Sequence, residues 1–143
     1  SVAQELEIDG RPALEDSAVR ARIANWYVQE SGLKYTGYRS LTALSRGALP
    51  GPENSIGKLV GAPKMQAMAS YLMDLLGASG AVADEALAAK AGIIQRAYMG
   101  APGLRIAGGT DEIMANIIAE RVLGLPQEPR LDKGIPFNEV PTG

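Results

Sequence analysis

The sequence predicts an all-α protein, an up-and-down bundle of about four helices with an extended C-terminal tail. Three observations carry that expectation. Alanine is the commonest residue, with 22 copies, and runs of alternating β-branched and aromatic residues are few. Apolar residues recur near a 3.6-residue period in several long segments. Between those segments stand clusters of proline and glycine that no helix continues through easily.

The first helix is expected over about Asp16 to Arg46. Pro12 and the pair Glu15-Asp16 precede Ser17, after which Val19, Ile23, Trp26, Tyr27, Leu33, Leu41 and Leu44 form the apolar series. Gly32 and Gly37 lie inside it, each about 1 kcal/mol worse than alanine in a helix interior. They mark either close packing against a neighbour or a break near Gly32. Gly47-Ala48-Leu49-Pro50-Gly51-Pro52 is a connector, and a second helix follows from about Glu53 to Leu76. Its apolar face is Ile56, Leu59, Val60, Met65, Met68, Leu72, Leu75 and Leu76, and Pro63 predicts a kink or two separate helices.

Gly77-Ala78-Ser79-Gly80 ends that segment. A third helix is expected from about Asp84 to Met99 on Leu87, Ala91, Ile94 and Tyr98, closed by Gly100-Ala101-Pro102-Gly103 and an irregular stretch from Leu104 to Gly109. The last helix runs from about Thr110 to Leu123 on Met114, Ile118 and Val122, with Ile113 and Ile117 beside them, until Gly124 and Pro126 stop it. Residues 1–126 are thus read as the bundle and 127–143 as an extended proline-rich tail, with Ile135 and Phe137 as candidate anchors.

Composition bounds the chemistry. With no cysteine and no histidine, the chain has no Cys/His zinc site, no Ser-His or Cys-His pair and no redox thiol, so no metal site is expected. Fourteen basic residues are scattered among sixteen acidic ones, which offers no basic stripe to a nucleic acid. The longest charge-free runs, Met65–Met73 and Leu75–Ala83, are far short of the ~20 residues of a membrane span, and SVAQELEIDG has no signal-peptide pattern. The expectation is a cytoplasmic protein, and a start at Ser1 permits a piece of something longer.

Adjacent carboxylates at Glu15-Asp16, Asp84-Glu85 and Asp111-Glu112 each fall at an expected helix start. Neighbouring helical residues diverge by about 100°, so such pairs complement the helix dipole better than they share a proton or a metal. The segment Ile106-Ala107-Gly108-Gly109-Thr110-Asp111-Glu112-Ile113 is more informative. Its two glycines free the backbone for a close approach, Thr110 can cap the helix, and the first-turn N–H groups point outward. A simple tight turn has the same pattern. If the turn does bind a ligand, its two carboxylates favour a neutral polar group over a bare phosphate.

Gly109-Thr110-Asp111-Glu112-Ile113 with Asn116-Ile117-Ile118-Ala119-Glu120-Arg121-Val122-Leu123-Gly124-Leu125-Pro126 resembles the C-terminal signature of the acyl-CoA dehydrogenase family. Upstream, Gly10-Arg11-Pro12, Glu15-Asp16, Val19-Arg20, Tyr38-Arg39, Gly51-Pro52-Glu53, Ser55-Ile56, Lys58-Leu59 and Leu75-Leu76-Gly77 are similar to its bacterial branches. The likeness runs from about Gly10 to Pro136.

The resemblance implies a flavoenzyme of an N-terminal helical domain, a middle β domain and a C-terminal four-helix bundle, of which this chain matches the last part without its first helix. It implies flavin adenine dinucleotide (FAD) as cofactor, an acyl-CoA substrate, and partners in the form of other dehydrogenase subunits in a dimer or tetramer. Carried over by position, the flavin-contacting turn falls on Gly109, Thr110 and Glu112. A contact from a neighbouring subunit, made in the family by a glutamine and a glycine-rich turn, falls on Asp74 and Gly77-Ala78, so the glutamine is not kept. The family's flavin-contacting arginine has no counterpart in Glu5-Leu6-Glu7-Ile8-Asp9.

Many members place the glutamate that removes the α-proton directly before the Gly-Thr of the turn, and that position is Gly108. A base on the absent helix, a base from a partner subunit, or a loss of dehydrogenation each accounts for this. The resemblance therefore implies the bundle of an FAD-dependent acyl-CoA dehydrogenase that is inactive in isolation. The alternative is a non-catalytic helical interaction or oligomerisation module derived from that family.

Overall fold

The computed structural model describes residues 2–49, 51–82, 89–130 and 132–140. A short helix α1 (Val2–Glu5) leads into a two-stranded antiparallel hairpin, β1 (Glu7–Ile8) and β2 (Arg11–Pro12), with Glu7 opposite Pro12 and Ile8 opposite Arg11. The body is made of α2 (Ser17–Ser45), α3 (Ser55–Leu76), α4 (Ala89–Ile106) and α5 (Asp111–Arg121). The fold is all-α apart from that hairpin, which the helix-centred reading of the sequence passed over. Its turn residues Asp9 and Gly10 take φ of 52° and 74°. Such a pair of positive φ values joins two strands with the right twist, and Asp-Gly is a common sequence for it.

Helix α2 starts where the sequence puts it. The Asp16 carboxylate accepts from the backbone N–H of Ala18 at 2.7 Å and of Val19 at 3.0 Å, two donors the first turn cannot satisfy itself. Arg20 Nη1 donates to the carbonyls of Leu14 (3.0 Å) and Glu15 (2.7 Å), tying the chain before the cap to the helix. Asp16→Ala is expected to lower stability by about 1 kcal/mol, read as a shifted urea midpoint at unchanged slope.

The helix then runs unbroken past Gly32 and Gly37, and a Cβ at either would meet nothing within 4 Å. The expected close packing at these glycines is therefore absent in this chain. Across from α2, a Cβ at Gly61 would lie in ordinary van der Waals contact, 3.8 Å from Leu33 Cδ1.

Helix α3 is the centre of the molecule, packing most extensively on α4 and then on α5 and α2. Its register with α2 is antiparallel: Trp26 meets Tyr71 edge to face at 5.5 Å, Arg22 lies 5.1 Å over the same tyrosine ring, Lys64 pairs with Glu30, and Ser40 donates to Asn54 at 2.5 Å. Its register with α4 is also antiparallel, because Gln95 reaches Gly80 in the 3₁₀ turn after α3 while Arg105 reaches Gln66.

Neither Pro63 nor Pro102 divides its helix, so of the two expectations at Pro63, a kink or two separate helices, the second is overturned. Helix α3 continues through Pro63 as one element, after a 3₁₀ turn over Pro52–Asn54. Helix α4 continues through Pro102 to Ile106, so Gly100–Gly103 does not end it, and Leu104 to Ile106 are helical rather than irregular. Each proline removes one backbone bond, a local loss of about 3 kcal/mol. Packing and polar contacts hold each helix together: Ala62 and Ala69 are buried on either side of Pro63, while Ile94 and Ala101 are buried before Pro102 and Arg105 ties the segment after it to Gln66 on α3. The expected start of that helix, including Asp84-Glu85 and Leu87, lies outside the described residues.

Helix α5 is capped by Thr110, whose hydroxyl accepts from Ile113 N–H at 3.3 Å. It ends as the sequence indicates. Gly124 takes φ of 68°, and the N–H of Leu125 returns to Ala119 O at 2.9 Å. Beyond it the chain is irregular except for a 3₁₀ turn at Phe137–Glu139. Ile135 is 39% exposed, a weak anchor, and the Phe137 side chain lies outside the described residues.

Much of the expected apolar face of α2 is not covered. Val19 is buried and Trp26 and Leu33 are half-buried, but Tyr27 is 73% and Leu41 60% exposed, and Ile23 and Leu44 are exposed too. On α4, Met99 is 79% exposed. Among the described residues no helix is long and apolar enough to cross a membrane.

Candidate functional site

Four residues, Ala107 to Thr110, connect α4 to α5. Gly108 and Gly109 take φ of 68° and 107°, so the expected turn is present and depends on both glycines. The two differ in their surroundings. A Cβ at Gly108 would meet nothing within 4 Å, whereas one at Gly109 would come within 2.6 Å of Met114 Cε. Gly108 thus presents open backbone to the outside, and Gly109 is pressed against the buried Met114.

Charged side chains brace this turn. Arg105, in the last turn of α4, places Nε 2.6 Å and Nη2 2.5 Å from Asp111 Oδ2, in the first turn of α5, and its Nη1 donates to Gln66 Oε1 on α3 at 3.1 Å. The other Asp111 oxygen, Oδ1, is buried and has no hydrogen-bond partner among the described residues. Arg105 also lines a cleft of about 450 Å³ between α3 and α4, together with Gln66, Ser70 and Tyr98.

Glu112 is fully exposed, and the Thr110 hydroxyl, its own backbone N–H and the Arg105 guanidinium hold its carboxyl below the ordinary glutamate value of 4.5. A lowered pKa means that the stabilisation it gives is present above that value and is lost as pH falls through the lowered pKa. Glu112→Gln is therefore expected to flatten the acid limb of the stability profile below about pH 4.5, measured by thermal unfolding across pH.

The second predicted group lies elsewhere. Asp74 is exposed near the end of α3, and Gly77 closes that helix with φ of 52°, its N–H donating to Asp74 O. Gln95 Nε2 braces the following turn, donating to Gly80 O at 2.6 Å and Val82 O at 2.8 Å. Gln66, the α3 anchor of the first turn, stands eleven residues before Gly77, roughly 16 Å along the helix axis. The structure does not bring Asp74 and Gly77 together with Gly109, Thr110 and Glu112.

The sequence reading missed Arg105, Gln66, Asp111 Oδ1 and Gln95. The Asp111-Glu112 pair was visible as helix-start charge, but nothing in local spacing announces a partner on another helix.

A profile described as the acyl-CoA dehydrogenase C-terminal domain matches residues 1–123. The chain belongs to the acyl-CoA dehydrogenase family. It is similar to acyl-CoA dehydrogenase FadE34 of Mycobacterium tuberculosis, 37% identical over 78 residues, which cover 54% of this chain and 10% of that protein. It is also similar to acyl-CoA dehydrogenase IpdE1 of the same organism, 29% identical over 124 residues, covering 82% of this chain and 29% of that protein.

Among solved structures, the ChsE4-ChsE5 complex from Mycobacterium tuberculosis contains a chain that superposes with a TM-score of 0.72 at 25% identity, over 90% of this chain and 33% of that one. The dehydrogenase bundle described here thus spans a third or less of each of these relatives.

The residues of the turn fit a flavin in two respects. Gly108 leaves open backbone against which a flat ring can lie. Arg105 neutralises Asp111, which leaves Glu112 as the charge at the turn. The Asp74 position fits less well, since a carboxylate accepts hydrogen bonds and cannot donate them as an amide does.

Proposed function

We propose that the chain works as the C-terminal bundle of an FAD-dependent acyl-CoA dehydrogenase acting on an acyl-CoA thioester, in which residues 1–126 form the bundle and 127–143 an appended tail. The observation that carries this reading is the glycine turn, with Gly108 open, Gly109 pinned on Met114 and Thr110 capping α5. FAD, when bound, supplies the hydride acceptor. The turn residues Gly109, Thr110 and Glu112 hold and orient it, and Asp74 and Gly77 face the nucleotide of a neighbouring subunit.

Gly108 cannot take the α-proton. That proton is removed by a base held on another part of the assembly, foremost the bundle helix that precedes this segment in the family. The exposed apolar residues on α2 and α4, among them Tyr27, Leu41 and Met99, form the interface to other dehydrogenase subunits. A two-component relative such as the ChsE4-ChsE5 complex supports partners of a different sequence as well as of the same one.

Anaerobic titration of the native assembly with an acyl-CoA thioester tests the reading. Loss of the flavin's visible absorbance is expected, and the 143 residues alone should show neither flavin nor turnover. Turnover by the isolated chain would overturn it. Gly108 also favours a second reading, a bundle that has kept oligomerisation and lost dehydrogenation, and an assembly that binds FAD without being reduced by any acyl-CoA would support that one.

A further inference from the structure

We propose that Arg105 is a positioning residue for the flavin-facing turn, acting through Asp111. The inference rests on the flavin reading above and concerns how this chain shapes the turn.

Four residues with two adjacent glycines make a loop of high backbone freedom, and a contact surface built from such a loop is useful only if something outside fixes its shape. Thr110 fixes only the first turn of α5. Arg105 and Asp111 stand on opposite sides of the loop, one on the last turn of α4 and the other on the first of α5. The guanidinium grips one Asp111 oxygen with two nitrogens, at 2.6 and 2.5 Å, while its third nitrogen holds Gln66 at 3.1 Å. The two ends of the loop are thereby closed by one planar group and tied to the middle of α3.

This arrangement is poorly explained as a device for stability. The Arg105 side chain is 45% exposed, and ion pairs that wet contribute little. Asp111 is different, with a side chain only 15% exposed and one oxygen already without a partner. Without Arg105, a shielded carboxylate would stand uncompensated beside the position of the flavin. Arg105 thus sets two properties of the turn, its shape and the local charge.

The test uses the full-length flavoprotein that contains this bundle. Arg105→Gln is expected to retain FAD, to move the flavin reduction potential to more negative values, and to lower kcat by roughly 10- to 100-fold with a smaller change in KM. The potential shift follows because an uncompensated negative charge disfavours electron uptake nearby. Adding Asp111→Asn removes that charge, so the double variant is expected to recover the potential. Loss of a second packing contact would not produce such a recovery. Arg105→Lys, which keeps the charge and loses the planar fork, is expected to hold the potential near the wild-type value while kcat stays reduced. It serves where Arg105→Gln does not fold.

An unchanged potential and kcat in Arg105→Gln, with only a lower Tm, would overturn the inference and leave the flavin reading standing. The same result, kcat unchanged in Arg105→Lys, would overturn it where only that variant folds. A wild-type full-length protein that holds no flavin would overturn both.

Discussion

Gly109→Val is expected to destabilise the bundle by about 3 kcal/mol. Its φ of 107° lies in a region that a β-branched residue hardly enters. The new Cβ would also stand 2.6 Å from Met114 Cε and 3.7 Å from Ile113 Cγ2. The methionine end is flexible and can swing, but Met114 is only 8% exposed, so it moves at the expense of its neighbours in the core. The backbone strain has no such relief. Gly108→Ala provides the contrast, because its φ of 68° is in the left-handed region and nothing lies within 4 Å, so about 1 kcal/mol is expected. Urea unfolding of the two variants side by side separates strain with crowding from strain alone.

Glu30→Ala is expected to cost about 2 kcal/mol, and Lys64→Met in that background to recover most of it. The Lys64 side chain is 6% exposed and pairs with Glu30, which is itself 66% exposed. Its surroundings are the apolar groove between α2 and α3 that contains Trp26, Tyr27, Met68 and Tyr71. Removing the glutamate leaves a buried ammonium without a counter-charge, whereas methionine fills the same volume with nothing to desolvate. The figure is set below the range for two buried partners because solvent reaches the Glu30 side. A thermal unfolding cycle over the four proteins checks it, and a double variant no more stable than Glu30→Ala would contradict the account.

Local chemistry made the helix ends legible. Asp16 before a periodic run, Thr110 after two glycines, and Gly124 before Pro126 each act within a few residues, and each holds the expected terminus. Neither proline divides its helix, because a proline's effect is local and what offsets it is not. Pro63 and Pro102 sit in helices held by packing between α3 and α4, and no single segment shows that packing in advance. The hairpin at Asp9-Gly10 was readable, but its strands are two residues each, too short for alternation to register.

At the site, the glycine turn and its cap could be read from sequence, and the family likeness gave the turn its expected ligand. The brace could not be read. Arg105 and Gln66 are 39 residues apart and meet only because α3 and α4 run antiparallel. Asp111 looked like ordinary helix-start charge until its second oxygen proved to be buried. The uncovered apolar residues of α2 show the reverse error. Periodicity announced a buried face, and this chain by itself supplies cover for only part of it.

In the proposed function this bundle presents its glycine turn to a flavin within a larger dehydrogenase. Isolating the native protein from its source cells with an antibody to the bundle, and measuring polypeptide mass together with FAD released on denaturation, tests it most directly. A flavin-containing polypeptide or complex several times larger than 15.0 kDa is the predicted result. A 15.0 kDa protein with no flavin and no flavin-bearing partner would contradict it.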